Sequence, residues 1–425
     1  MILLVLVAFC VLLALGIPVA YSMAIASVSV IAMDPSLPAT IIGQKIFTSL
    51  DSFSFIAIPL FMLAGTLMNA SGITEKLIYF CRALVGHWKG GLGHATVITG
   101  MLMAGVSGSS VADSSAISTV LVPQLEKEGY DRGYACALIS SAGSLGPIIP
   151  PSIIMIVYSG VVSISVGELF MSGLVPGIIL GIGMMIYNYY YATKRGIPKT
   201  QFVGVANVGR AFIHCLGALI MPFIILGGIM SGIVTATESG ILAVIYGIIY
   251  GFVTKNLTVK KLFTCIHEAA SSATQPMIII AMASLFGYVL TYYGVGELVG
   301  NFMTSMTTNP YIVLILIFII IYIAGMFIES TAILLILVPV FAPLISVYGF
   351  DPLHFAIVCI ISLVLGGISP PVGIVMYVVS GVTHTDLGRI IRHIWPFVGI
   401  FSLGVLLLIF VPQVATTVPR MLGMA

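Results

Sequence analysis

GVSGSSVADSSAISTVLVPQLEKEGYD (residues 105–131), followed by SSAGSLGPIIPPS (140–152), returns 220 residues later as GMFIESTAILLILVPVFAPLISVYGFD (325–351), followed by ISLVLGGISPPVG (361–373). Gly105 aligns with Gly325, Ser110 with Ser330, Pro123 with Pro343, Gly146 with Gly366, and Pro150-Pro151 with Pro370-Pro371. A gap-free register with turn formers in phase is the signature of an internal repeat. Each copy is an apolar segment interrupted by Gly, Ser and Pro. Paired interruptions at matching places in two halves are the best sequence pointer to a transporter binding site.

The composition sets the solvent. The chain of 425 residues is 60% hydrophobic and 7% charged, so it reads as a polytopic membrane protein with room for roughly ten to fourteen apolar segments. A net charge of +2 gives no reason to invoke nucleic acid. The six cysteines are scattered singly with no CxxC, which indicates neither a zinc site nor a disulfide framework. Residues 1–32 carry no Lys or Arg. They are therefore expected to be retained as membrane segment rather than cleaved as a signal, with the N-terminus outside.

Residues 2–33 are broken at Gly16-Ile17-Pro18, as one kinked span or two short ones. Residues 34–51 read as a polar connection, 52–70 as a span, and 74–89 as an interfacial amphipathic helix. The segment 93–127, interrupted over 105–115, has basic residues at both flanks and reads as a re-entrant hairpin entered from the cytoplasmic side. A broken span (132–162) and a continuous one (168–193) follow, then a polar linker. The second half has scaffold spans within 211–292, a hairpin at 311–347 without basic flanks, a broken span (353–383) and a last span (394–412). The expected architecture is thus all-α and polytopic. It has two inverted-topology repeats, 1–200 and 201–425, and scaffold segments in 1–90. Of the 16 Lys and Arg, only Lys45 and Arg420 fall outside in this topology.

Broken helices present free N–H groups, which favour anions, and free carbonyls, which favour cations. Hard cations take oxygen ligands, and Na⁺ is expected to do so here. One ion site would use Ser107, Ser110 and Ser114 with backbone around Gly143 and Gly146. The other would use Gly325, Ser330 and Thr331 with Gly366 and Ser369. An anionic substrate would lie between the tips, near Ser109, Ser110, Asp113, Pro150, Glu329, Ser330, Thr331 and Pro370. Each residue has a plainer reading. Serines in membrane helices bond their own i−4 carbonyls, and Asp113 and Glu329 either serve ions and protons or cap helices. None of the 7 histidines lies in a tip.

The order of GVSGSSVADSSA, GSLGPIIPPS, GMFIESTA and GGISPPVG resembles the large membrane subunit of TRAP (tripartite ATP-independent periplasmic) transporters over nearly the whole chain. The resemblance implies an elevator-type, Na⁺-coupled importer of organic acids, chiefly sialic acid or C4-dicarboxylates, in the bacterial inner membrane. It also implies two partners, a small four-helix membrane subunit and a periplasmic substrate-binding protein, with membrane lipid around them. A passive anion channel is the first alternative. An intramembrane serine protease using Ser107, from the GxSG pattern, is the second, although it lacks a histidine base at depth.

Overall fold

The computed structural model describes residues 1–202 and 204–424. Among these there is no strand, and six helices are long and apolar enough to cross a membrane. The chain begins with α1 (Ile2–Ala14) and α2 (Val19–Met33), two helices rather than one kinked span. The turn between them is built on Gly16 at φ +81°, followed by Ile17-Pro18. The connection 34–51 contains an amphipathic helix, α3 (Thr40–Leu50), which packs on α13 below. Then come α4 (Phe53–Ala70) and α5 (Ile73–Val85), the amphipathic helix expected from its spacing.

The first hairpin consists of α6 (Gly91–Ser107) and α7 (Ser110–Lys127). Its interruption is narrower than the composition of 105–115 suggests: only Gly108 and Ser109 leave the helices. Gly108 turns the chain at φ +63°, and Ser109 caps α7 by accepting from the Ala112 N–H at 3.4 Å. One αL residue and one cap suffice to reverse the chain, so the other serines remain helical. Two short helices, α8 (Arg132–Gly143) and α9 (Ile153–Val162), make the broken span, and α10 (Val166–Lys194) follows.

The second half contains α11 (Val205–Met230), α12 (Ala236–Val253) and α13 (Val259–Tyr292). The last of these is 34 residues long and starts ten residues before the expected span of 269–292. Next are α14 (Val295–Met306), then the second hairpin of α15 (Pro310–Gly325), α16 (Ser330–Phe341) and α17 (Pro343–Tyr348). The broken pair α18 (Pro352–Gly367) and α19 (Ile374–Thr383) precedes α20 (Leu387–Phe410) and α21 (Gln413–Met421).

Caps recur at positions 220 apart. Asp131 and Asp351 each accept two backbone N–H bonds at the starts of α8 and α18. Ser109 and Glu329 cap α7 and α16 in the same phase. The halves then interlock rather than stand apart. The second hairpin's α16 packs on α9 and the first hairpin's α7 packs on α19, while α20 lies on α8 and α10 on α18. Arg132 clamps the far ends together, donating to the Thr383 carbonyl at 2.6 Å and to Thr385 Oγ1 at 2.8 Å while pairing with Glu126 at 2.7 Å. Around this body, α4 lies against α12, where Gly240 and Gly247 leave room for Leu60 and Leu67.

Candidate functional site

The first tip closes on the first helix break. Ser107 Oγ donates to Asp113 Oδ1 at 2.6 Å, and the carboxylate is fully buried. Its other oxygen, Oδ2, has no hydrogen-bond partner. Ser114 Oγ and Ser140 Oγ are likewise buried and unpartnered. Two glycines of the break face these atoms. A Cβ on Gly143 would lie 2.0 Å from Ser114 Oγ, and one on Gly146 would lie 3.1 Å from Asp113 Oδ2. The absence of side chains at these glycines lets the two unsatisfied oxygens press directly against the backbone of the break. Unpaired polar atoms in an apolar interior cost about 1–3 kcal/mol each or more, so such a group calls for a water or an ion as its partner. The donors here are all oxygens, the chemistry that suits a hard cation.

The second tip is built differently. Gly325 and Gly366 bring the hairpin and the broken helix α18 into backbone contact, with room for no Cβ between them. Glu329 Oε2 accepts the Ala332 N–H at 3.1 Å, and Oε1 accepts the Thr331 hydroxyl at 2.9 Å. Ser369 Oγ donates to the Leu365 carbonyl at 2.7 Å, the back-bonded arrangement. Thr331 is buried and Ser330 half-buried, with Gly367 ordinary packing distance from Ser330. Pro150-Pro151 and Pro370-Pro371 are both cis and lie in the loops between the half-helices. At the first tip, Ser109 and Ser110 are half-buried.

The tips also differ in surroundings. A Cβ on Gly65 of α4 would come within 3.2 Å of Ser107 Cα, and one on Gly105 within 3.3 Å of Pro222 on α11. Ser107 is accordingly 6% exposed, whereas Phe327, 220 residues on, is 58% exposed. Glu329 faces a cavity of about 480 Å³ bounded by the start of α2 and the middle of α13. Ser271, Thr274 and Gln275 line it together with Tyr21, Ile278 and Ala332. The other residues expected around a substrate, Ser109, Ser110, Asp113, Pro150, Ser330, Thr331 and Pro370, do not line this cavity. The motif reading missed the α13 residues. Their signal was a polar stripe at helical spacing, Ser271, Thr274 and Gln275. Ser140 was missed as well, one turn before Gly143.

Ser107 has a carboxylate as its partner and no histidine, so the constellation a serine nucleophile needs is not assembled there.

Residues 6–414 match the family model for the tripartite ATP-independent periplasmic transporter, DctM component. A C4-dicarboxylate TRAP transporter large permease protein of Pseudomonas aeruginosa is 35% identical over 382 residues, 90% of each chain. The sialic acid TRAP transporter permease protein SiaT of Haemophilus influenzae is 32% identical over 96% of this chain, which spans 66% of its length. In fold, the chain resembles the YdaH transporter of Alcanivorax borkumensis, with a TM-score of 0.70 at 13% identity, covering 92% of this chain and 96% of that one. These relatives are transporter proteins rather than enzymes, and they carry the same multi-pass helical design. The chain belongs to the DctM component family of tripartite ATP-independent periplasmic transporters.

Proposed function

We propose that this chain is the membrane-embedded carrier subunit of a secondary importer that uses a Na⁺ gradient to bring a small organic acid anion across the bacterial inner membrane. The tripartite family supports two partners, a small membrane subunit and a periplasmic binding protein. C4-dicarboxylates and sialic acid are the substrates suggested by the names of its relatives. Na⁺ would bind at the first tip, where Asp113 Oδ2, Ser114 Oγ and Ser140 Oγ await a partner near Gly143 and Gly146. Ser110 and the half-buried start of α7 would add hydroxyl and dipole to the anion's side.

The observation that carries an elevator mechanism is the mismatch between the two tips. The first tip sits at Gly65 of α4. Gly72 and Gly294, the left-handed glycines that open α5 and α14, set the register here at 222 residues, so the counterpart of Gly65 is Gly287 of α13, yet Glu329 faces α13 around Gln275. The offset of about twelve residues amounts to roughly 18 Å at 1.5 Å rise per residue. In an inverted pair of repeats, one moving body sliding toward one side shifts its two tips oppositely along their partner helices. The mismatch therefore supports a body at one end of its travel, sealed at the first tip and open at the second. The remaining repeat positions name the other end.

Paired cysteines test this. Gly65→Cys with Ser107→Cys should cross-link in the state described, and Gly287→Cys with Phe327→Cys in the opposite one. Each cross-link should stop Na⁺-driven uptake in proteoliposomes until reduced. Uptake that continues while the second pair never cross-links would rule out the elevator. Uptake that ignores the Na⁺ gradient would favour a passive channel.

A further inference from the structure

We infer that Ser271, Thr274 and Gln275 of α13, with Tyr21 of α2, form a hydrogen-bonding wall opposite Glu329, and that this cavity receives the hydroxylated, uncharged end of a mono-acid rather than a second carboxylate. The inference rests on the carrier reading above. It adds to that reading the substrate class and the residues on the stationary side.

Three observations carry it. First, the charge of the cavity is one-sided. Among its lining residues Glu329 is the one ionisable carboxylate, and no Lys, Arg or His is present. A carboxylate brought beside it would meet like charge at close range in a poorly screened setting. Second, Glu329 has acceptor capacity left. Each of its oxygens accepts one bond, from Thr331 or from Ala332, and a carboxylate offers about four lone-pair positions. What it can still recognise is a donor, that is, a hydroxyl, amide or amine. Third, the facing wall is polar and exposed to the cavity. The side chains of Ser271, Gln275 and Tyr21 have no protein partner among the described residues, while Thr274 Oγ1 bonds the Ala270 carbonyl at 2.9 Å. Polar side chains at membrane depth face water or a ligand rather than lipid. Gln275 supplies both an acceptor and two donors, and Ser271 and Tyr21 add hydroxyls that serve either way. Ile278, Ile279 and Ala332 complete an apolar floor suited to C–H faces. A chain of hydroxylated carbons presents that mixture; a bare four-carbon dicarboxylate brings two negative ends and no donor for Glu329.

The test uses the assembled transporter, reconstituted with its small membrane subunit and binding protein, together with ligand-induced thermal shifts of the two membrane subunits in Na⁺. The probes are gluconate, a polyhydroxylated mono-acid, and succinate, a dicarboxylate without hydroxyls. The membrane subunits should bind gluconate at least tenfold more tightly than succinate. Gln275→Leu should erase most of that preference by weakening gluconate about tenfold, with succinate unchanged. Glu329→Gln should strengthen succinate by a similar factor, because the like charge is gone. Retention of native thermal stability in both variants without ligand separates these effects from misfolding. Succinate bound as tightly as gluconate by the native complex overturns the inference, as does a Gln275→Leu variant with an unchanged ratio. Na⁺-independent or absent uptake of every organic acid tested would overturn the carrier reading itself and this inference with it.

Discussion

Gly366→Ala adds one methyl group where two backbones touch, and the structure says how badly it fits. Its Cβ would lie 2.5 Å from both the carbonyl carbon and the Cα of Gly325, and 2.9 Å from that carbonyl's oxygen. Comfortable contact between carbon atoms begins near 3.5 Å. The overlap is thus about 1 Å, against main chain that has no rotamer to escape into. Relief requires that the second hairpin part from α18, and small-to-large changes of this kind cost about 1–3 kcal/mol or more. The same substitution in an unobstructed helix should do the reverse, since Ala is favoured over Gly by roughly 0.5–1 kcal/mol. Gly399 of α20 is such a position, with nothing within 4 Å of its Cβ. Gly325→Ala should fall between the two, because its Cβ meets Gly366 Cα at 3.0 Å and the Leu363 carbonyl at 3.2 Å. The assays are thermal unfolding in detergent and Na⁺-driven uptake in proteoliposomes. The expected order of damage is Gly366→Ala, then Gly325→Ala, then Gly399→Ala, with uptake reduced at least tenfold in the first. A Gly366→Ala protein that melts higher than the native one and transports normally would refute the reasoning.

The first tip yields a different signature. Asp113→Asn should raise the Na⁺ concentration for half-maximal uptake by about tenfold, and Ser114→Ala by a few-fold; an unchanged Na⁺ dependence in both would remove the ion from this place. Ser110→Ala should abolish Na⁺-driven uptake, and full activity would free that hydroxyl of any role. Outside the spans, Asp34 accepts from the Ser36 hydroxyl at 2.6 Å and N–H at 2.9 Å and from the Tyr293 hydroxyl at 2.6 Å, bonds that hold its carboxyl below its ordinary value of 3.8. A depressed carboxylate stabilises the fold above its unfolded pKa and loses that contribution as the pH falls through its folded one. The melting difference between native protein and Asp34→Ala should therefore be present at neutral pH and shrink below about pH 4; a difference independent of pH would contradict the bond pattern.

Much of the fold was legible because its causes are local. An apolar run long enough to cross a bilayer must satisfy its own backbone, so helices follow from composition. Gly16-Ile17-Pro18, the stretch 144–152 and the stretch 368–373 interrupt those runs where proline and glycine cluster, whereas single prolines such as Pro59, Pro176 and Pro222 stay inside helices. The width of the first tip was not legible. Five serines within 107–115 look like a long unwound loop, but Gly108 alone turns the chain and Ser109 alone caps the next helix. Serine tolerates either state, and the packing of α7 on α8 and α19 decided for helix. The connection 34–51 was misjudged for the complementary reason. Polar residues mark a loop in isolation, yet Thr40–Leu50 gains a helix by lying on α13.

By itself the sequence determined the membrane setting, the helical class, the repeated interruptions, and the residues that gather at the first break, since Gly143, Gly146, Ser107, Asp113 and Ser114 all lie in its two motifs. The tertiary structure alone decided which atoms there are left without partners, and it alone set Gln275 and Tyr21 against Glu329. Those pairings join segments more than fifty residues apart, and no local propensity encodes which face of a long helix will meet a distant tip. They depend on how far one packed body stands along another, a quantity that belongs to the assembled fold rather than to any stretch of chain.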